Sequence, residues 1–155
     1  MTAMTRMDSD RILKWLGWLP ALYAAHILLW YQQFKLTGAE GSVMLFNILA
    51  DWLWISGYEK PFRLSVAVVE LIASVLLIIP RTRMLGALLT FGIMSGAIFF
   101  HVVSPLGIDP YGDGGALFKE ACWSWLSAVI LLAIYRREVG VMVAGLMARP
   151  MRLAI

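Results

Sequence analysis

Four ionisable residues lie inside four different apolar stretches of the sequence. They are His26, Glu70, His101 and Glu120. Ionisable side chains at membrane depth are costly and commonly serve a function, so these four are the first candidates for a site. Imidazole and carboxylate groups suit proton exchange with a quinone headgroup, and they also suit ligation of zinc or iron. The structural alternative is a polar network in which these groups satisfy one another.

The four apolar stretches have the length of transmembrane helices, which need about 20 mostly apolar residues at 1.5 Å rise per residue. Pro61 and Pro80 flank the second stretch, as helix ends predict. We therefore predict an all-α chain that forms one membrane domain, 1–155, with a bundle of four transmembrane helices. The predicted spans are 15–34, 62–79, 84–103 and 116–135.

The composition indicates an integral membrane protein. Hydrophobic residues make up 61% of the 155 residues and charged residues 15%, with a mean hydropathy of +0.77. Soluble domains carry about a quarter charged residues, so the lipid bilayer must cover most of this surface. The net charge is +3 and the basic residues are scattered, which argues against nucleic-acid binding. The single Cys122 excludes an intramolecular disulfide and a thiol-pair mechanism.

Two further apolar segments are too short to cross a bilayer. The segment 43–55 contains Trp52 and Trp54, which are typical of the headgroup level. We predict that it is a re-entrant or interfacial helix between the first two spans, lying against the outer surface. The tail 139–155 ends with Arg149 and Arg152 and is predicted to be an amphipathic interfacial segment.

The distribution of basic residues predicts how the four spans are oriented in the membrane. Nine of the 13 lie on the side that holds both termini and the second-to-third turn, and four lie on the other side. The positive-inside rule therefore places the N- and C-termini in the cytoplasm.

Counting residues along each helix places all four ionisable side chains in the outer half of the membrane. His26 and Glu70 lie roughly 12 Å below the outer helix ends, and His101 and Glu120 lie within about 6 Å of them. The loop 104–115 makes the last two spans antiparallel neighbours, so His101 and Glu120 are expected to approach each other. Arg63 and Lys119, near the starts of their helices, complete the predicted ligand-binding set.

Helical-wheel positions predict that the polar faces of the four helices meet inside the bundle. Glu70, His101 and Glu120 each share a face with small or polar residues, which typically pack against other helices. The companions are Arg63, Ala67 and Ser74 for Glu70; Gly86, Thr90, Met94 and Ala97 for His101; Ser124 and Ser127 for Glu120; and Trp30 and Gln33 for His26.

Other site chemistries remain open at this stage. His26, Glu70, His101 and Glu120 supply two imidazoles and two carboxylates for a metal, but the Glu-x-x-His signature of di-iron bundles is absent. Haem ligation by the two histidines is disfavoured, since their depths differ by about 8 Å. Gly92 and Gly96 form a GxxxG pattern that suits a close helix contact, within the bundle or in a homo-oligomer.

Several segments resemble the DoxX-like family of small four-helix membrane proteins. The first helix is followed by Phe34-Lys35-Leu36-Thr37-Gly38, and Glu70-Leu71-Ile72-Ala73 runs on to Pro80-Arg81-Thr82-Arg83. Gly86-Ala87 and His101 continue the pattern through the third helix, and the similarity covers most of 12–137. The resemblance implies a bacterial or archaeal cytoplasmic-membrane protein linked with membrane redox complexes. The family that it resembles includes quinone-reducing subunits.

These observations predict an accessory membrane subunit of a redox system. Its outer-leaflet polar pocket would hold a quinone-like ligand, and its partner would be a membrane redox complex. The alternative is a noncatalytic scaffold or assembly protein whose His/Glu network only fixes the bundle. No Walker, Rossmann, HExxH or GxSxG pattern indicates a catalytic centre in this chain.

Overall fold

The computed structural model describes residues 11–147, apart from the side chains of 143 and 145–147, and within this range the regular structure is entirely helical. The helices are α1 (Trp18–Trp30), α2 (Gln32–Thr37), α3 (Glu40–Trp52), α4 (Glu59–Ile78), α5 (Arg83–Val103), α6 (Ala116–Ile134) and α7 (Arg136–Met147). The prediction of an all-α chain is confirmed for this part of the protein.

Four helical stretches are long and apolar enough to cross a membrane, as predicted. They are Arg11–Thr37, which includes α1 and α2, together with α4, α5 and α6. The first stretch extends beyond the predicted 15–34, because helical backbone resumes after Tyr31 and continues to Thr37.

Glycine and proline mark the helix ends. Gly38 ends α2 in the left-handed conformation, with φ of 70°, as expected for a residue just past a helix. Pro61 lies in the first turn of α4 and Pro80 follows its last turn. Gly115 precedes α6 with φ of 73°, and a Cβ there would lie 2.8 Å from the carbonyl oxygen of Ile108, so only glycine fits.

The four membrane-length stretches form a closed ring, in which α1 and α5 each pack against both α4 and α6. Small residues at the crossings let the backbones approach closely. One such close approach is at Gly86 of α5, where a Cβ would lie 2.6 Å from the backbone nitrogen of Leu77 in α4. Buried alanines from all four helices fill the ring: Ala21, Ala24, Ala25, Ala73, Ala87, Ala121 and Ala128.

Arg83 closes the ring where α4 turns into α5. Its side chain is 1% exposed, and its Nε donates to the carbonyl oxygen of Leu77 at 2.9 Å. The guanidinium lies over the ring of Trp18, with 3.8 Å between Cζ and the ring centre. A stacked guanidinium is stabilised by the indole face, which explains how a cation lies buried here.

The short helix α3 packs against α4 on the outside of the ring. It buries Leu45, Phe46 and Leu49 in a second apolar cluster with Leu106. The segment predicted at 43–55 is therefore helical, with its observed bounds at Glu40–Trp52. The described part of the predicted tail 139–155 belongs to α7, and residues 148–155, including Arg149 and Arg152, lie outside the described residues.

Candidate functional site

A cavity of about 930 Å³ lies among the helices, bordered at one end by the loop 104–115 and the start of α6. Its walls come from α1, α2, α3, α4, α5 and α6, and most of the lining side chains are apolar. Ligand cavities in proteins typically have volumes of roughly 300–1,000 Å³ with a few polar groups in an apolar wall. The polar groups of this cavity therefore decide what it can bind.

Glu70 provides a buried carboxylate on the cavity wall. It is 4% exposed, and its Oε2 accepts hydrogen bonds from Lys35 Nζ at 2.5 Å and Gln32 Nε2 at 2.7 Å. Gln32 also donates to the carbonyl oxygen of Leu28 at 3.0 Å, which fixes the amide in place. The buried charge of Glu70 is thus balanced by Lys35 and held by hydrogen bonds, as a buried ion pair requires.

Glu120 provides a second carboxylate, which is hydrogen-bonded to the hydroxyl of Tyr31. Lys35 Nζ lies 5.7 Å from the ring centre of the same tyrosine, in a cation–π arrangement. Tyr31 therefore lies between the two acidic groups. We call Tyr31, Lys35, Glu70 and Glu120 the polar wall; all four line the cavity.

Arg63 lies outside the cavity and holds the backbone of Lys35, a residue of the polar wall. Its Nε donates to Glu59 Oε1 at 2.5 Å, and its Nη1 donates to the carbonyl oxygen of Lys35. The side chain is buried, but it does not line the cavity. Arg63 was predicted to bind the ligand, and the structure instead places it where it positions the backbone of Lys35.

His101 is buried and lines the cavity near its loop end. Its Nδ1 lies 2.6 Å from the carbonyl oxygen of Gly107, and its ring packs edge-on against Phe118. Because a carbonyl oxygen only accepts hydrogen bonds, Nδ1 carries a proton and Nε2 is the ring atom left for other partners. Within residues 11–147, no hydrogen bond or ion pair joins His101 to Glu120, so the expected direct contact is not formed.

His26 was expected to face the bundle interior beside Glu70, and this expectation is wrong. The side chain is exposed on the outer face of α1, where its ring lies 6.2 Å from that of Trp30. The buried face of α1 carries Ala21, Ala24, Ala25 and Leu28 instead. Small residues permit the close packing of α1 against α4 and α6, so His26 points away from the ring.

The other three predicted polar faces point into the bundle, although Ala97 on α5 and Glu120 on α6 are half-buried rather than buried. On α4, Arg63, Ala67, Glu70 and Ser74 are buried together; on α5, Gly86, Thr90, Met94 and His101; on α6, Ser124 and Ser127. Lys119 is exposed and lies outside the cavity lining. Within 11–147, no three His, Cys, Asp or Glu side chains lie close enough to hold a metal ion, so His26, Glu70, His101 and Glu120 do not assemble into a metal site.

The loop 104–115 covers one end of the cavity and is fixed by its own polar groups. Tyr111 donates from its hydroxyl to the carbonyl oxygen of Gly41 in α3 at 3.0 Å. Partial burial, with a smaller contribution from the charge of Asp113, raises the pKa of Tyr111. Asp113 Oδ1 accepts from the backbone nitrogens of Gly115 and Ala116, at the start of α6. The loop is therefore tied to both α3 and α6.

The carboxylate of Asp109 fixes the loop conformation by accepting hydrogen bonds from the loop backbone. Its two oxygens accept from the backbone nitrogens of Asp113 and Gly114 at 3.0 and 3.2 Å. Desolvation tends to raise the pKa of this carboxylate, but hydrogen bonds from the loop backbone outweigh it, and the pKa lies below its ordinary value.

Sequence reasoning missed Tyr31, Gln32 and Lys35 as site residues. It ended the first helix at residue 34 and therefore assigned Lys35 to the outer connection. Two signals point to the observed arrangement: Gly38 as a helix-ending glycine, and the spacing of Leu28, Gln32 and Lys35, which puts all three on one helical face.

A family model for the DoxX-like family matches residues 29–106, half of the chain. The chain belongs to the DoxX-like family. No curated protein and no solved structure matches it. The matched region of this DoxX-like protein contains Tyr31, Lys35, Glu70 and His101, while Glu120 lies beyond it. Family membership and the four apolar helices together indicate a small multi-pass membrane protein, of a kind often linked to redox-related functions.

Proposed function

We propose that this DoxX-like protein is an accessory membrane subunit of a redox system and holds a quinone-like ligand in the cavity. The supporting observation is an apolar cavity of about 930 Å³ whose charged and hydroxyl groups include the polar wall of Tyr31, Lys35, Glu70 and Glu120. A quinone has an apolar ring and two carbonyl oxygens, so it needs an apolar cavity and hydrogen-bond donors. Lys35 supplies donors, since an ammonium carries three N–H groups and Glu70 takes one of them. The single O–H group of Tyr31 is donated to Glu120, so Tyr31 offers its oxygen as an acceptor.

The polar wall also suits the proton chemistry of a quinone. Reduction of a quinone to a quinol takes up two electrons and two protons, and oxidation of the quinol releases them. Glu70 and Glu120 exchange protons, with Lys35 and Tyr31 as hydrogen-bond partners. The electrons come from a partner redox subunit, to which this chain contributes the ligand site.

We further propose the orientation given by the basic residues, with both termini in the cytoplasm and α3 near the outer surface of a bacterial or archaeal cytoplasmic membrane. The cavity then lies in the outer half of the bilayer, because the loop 104–115 and α3 border it on that side. Protons would be exchanged with the outer aqueous phase.

Binding of decylubiquinone to the purified protein in detergent tests this proposal, with tryptophan fluorescence quenching as the measurement. Tyr31→Phe and Glu120→Gln should each weaken binding by about tenfold, because phenylalanine lacks the hydroxyl and glutamine replaces the ionisable carboxyl of the polar wall by a neutral amide. Asp51→Asn is the control: Asp51 is an exposed acid on α3 outside the cavity lining. Absence of saturable binding to the unaltered protein would refute the quinone proposal.

The second candidate function is a noncatalytic scaffold with a structural polar network. The two ion pairs Lys35–Glu70 and Arg63–Glu59 favour it, since these four groups satisfy one another without a ligand. A scaffold predicts that Tyr31→Phe and Glu120→Gln change the melting temperature and partner assembly, while no quinone binds. The two candidates therefore differ in the outcome of the same binding experiment.

A further inference from the structure

The cavity lies open between α4 and α5, next to the short helix α3. Val69 of α4 and Gly92 of α5 both line the cavity, and both are exposed at the protein surface. The two helices are consecutive antiparallel neighbours whose backbones lie close together at Leu77 and Gly86. Counted from that contact, Val69 lies roughly 12 Å along α4, and Gly92 and Gly96 lie about 9 and 15 Å along α5. These three residues therefore border one opening, which we call the lateral opening.

The lateral opening exists because Gly92 and Gly96 carry no side chain. A Cβ added at Gly92 or Gly96 would meet no atom within 4 Å, although both positions lie on a helix that crosses the bundle. The contrast with Gly86 is informative, since a Cβ there would collide with the backbone of Leu77. Gly86 allows a close helix contact, whereas Gly92 and Gly96 leave space. The expected close contact through the GxxxG pattern is not formed within the described bundle.

The polar wall lies at the same level of the bundle as the lateral opening. Glu70 is about 10 Å from the Leu77 contact by the same count, a depth close to that of Gly92. Buried apolar side chains of α3, including Leu45 and Leu49, line the cavity as well. A molecule that fills this space thus meets hydrogen-bonding groups at one wall and hydrocarbon at the opening.

We infer that the ligand is amphipathic, with a polar headgroup at the polar wall and a long apolar chain that passes through the lateral opening into the bilayer. The inference rests on the proposed function for the headgroup and adds the chain, its route and the residues that select for it. Gly92 and Gly96 act as specificity-determining positions, because any larger side chain there narrows the passage. The ligand reaches its site from the membrane interior.

Two probes that share a headgroup test this inference. Decylubiquinone should bind the unaltered protein at least about tenfold more tightly than ubiquinone-0, which has the same ring and no chain, since each buried methylene adds affinity. Gly96→Leu and Gly92→Leu should weaken decylubiquinone binding by about tenfold and leave ubiquinone-0 binding within about twofold. Val102→Phe is the matched control, because it adds bulk to the exposed face of α5 outside the cavity.

A second measurement needs no quinone. A phospholipid with a diazirine in one acyl chain is reconstituted with the protein, photolysed, and the labelled residues are mapped by mass spectrometry. Chains that enter the lateral opening should label the buried Leu45 and Leu49 in the unaltered protein and should label them several-fold less in the Gly92→Leu, Gly96→Leu double variant. Exposed positions such as Val102 should be labelled equally in both.

The outcomes separate the two proposals. Failure of both quinones to bind, with Leu45 and Leu49 labelled, overturns the quinone headgroup and supports the lateral opening. Equal affinity for the two quinones, or equal losses for both in Gly96→Leu, overturns the apolar chain. Absence of labelling at Leu45 and Leu49 overturns the lateral opening, as would crosslinking between copies through a cysteine placed at Gly92, which would mean that a second copy covers it.

Discussion

Lys35 and Glu70 join two helices through an ion pair at a depth where an unpaired charge is costly. Their side chains are 14% and 6% exposed, and the carboxylate is also bound by Gln32. Burying two charges carries a desolvation penalty that their attraction offsets only in good geometry. Removing one partner is therefore much more damaging than replacing both by apolar residues.

We predict that Glu70→Leu lowers the free energy of unfolding by about 3 kcal/mol, because Lys35 is left as an uncompensated charge. The double variant Glu70→Leu, Lys35→Met should recover most of this loss, since both charges are gone. Thermal and denaturant unfolding in detergent measure the effect, with Asp51→Asn as the exposed control. Losses that simply add in the double variant would mean that the two side chains are not coupled.

At the same scale, the site was only partly predictable from the sequence. Glu70, His101 and Glu120 were found because ionisable residues in apolar stretches are rare and their neighbours on the wheel are small. His26 meets the first criterion, yet it faces outward because the alanines of α1 occupy the packed side. Lys35 was missed because the helix continues three residues beyond the predicted end at 34, to Thr37, and this last turn places Lys35 at the cavity.

At the scale of helices, the close contact between α4 and α5 requires that residue 86 has no Cβ, as in glycine. We predict that Gly86→Ala destabilises the protein by about 1–3 kcal/mol, because the methyl group collides with the backbone around Leu77 and the helices must separate. Gly92→Ala is the matched control on the same helix. It meets no atom within 4 Å and should be neutral or stabilising, since alanine favours helix. Equal melting temperatures for the two variants would contradict the close contact.

The loop 104–115 gives a pH-dependent prediction. The pKa of Asp109 is lowered in the folded protein, so its contribution to stability is present above the ordinary aspartate pKa and is lost as pH falls through the lower, folded-state value. The unaltered protein should therefore melt at a higher temperature than Asp109→Asn near pH 7, and the difference should shrink below about pH 4. Melting curves from pH 7 to pH 3 measure it. A difference that stays constant with pH would mean that ionisation of Asp109 is not involved.

For the whole molecule, hydropathy was sufficient to predict an all-helical chain with four long apolar helices. The lengths of apolar runs and the positions of Pro61 and Pro80 carry that information directly. The cavity was not predictable in shape, because residues from six helices and the loop 104–115 line it. The periodic pattern of a single segment does not encode the distances between helices.

Topology is the prediction that belongs to this scale. Four crossings would bring Arg11 and Met147 to the same side, and the distribution of basic residues predicts that this side faces the cytoplasm. A fluorescent reporter that folds only in the cytoplasm should be active when fused at Ile155. A reporter that is active only outside should work when inserted in the loop 104–115. The reverse pattern would overturn the orientation, and activity of both at the same site would indicate mixed topology.

The pairing of Lys35 with Glu70 also bears on how the chain is assembled during synthesis. Both partners belong to the first helical hairpin, formed by α1, α2 and α4, so this charge is neutralised as soon as that hairpin enters the bilayer. Glu120 differs, because its partner Tyr31 was made 89 residues earlier. Until α6 packs beside Tyr31, Glu120 lacks the hydroxyl group that binds it in the complete bundle. We expect the ring to close last at this tyrosine, so that a ribosome-bound chain that stops before α6 has its internal ion pair in place and no completed binding site.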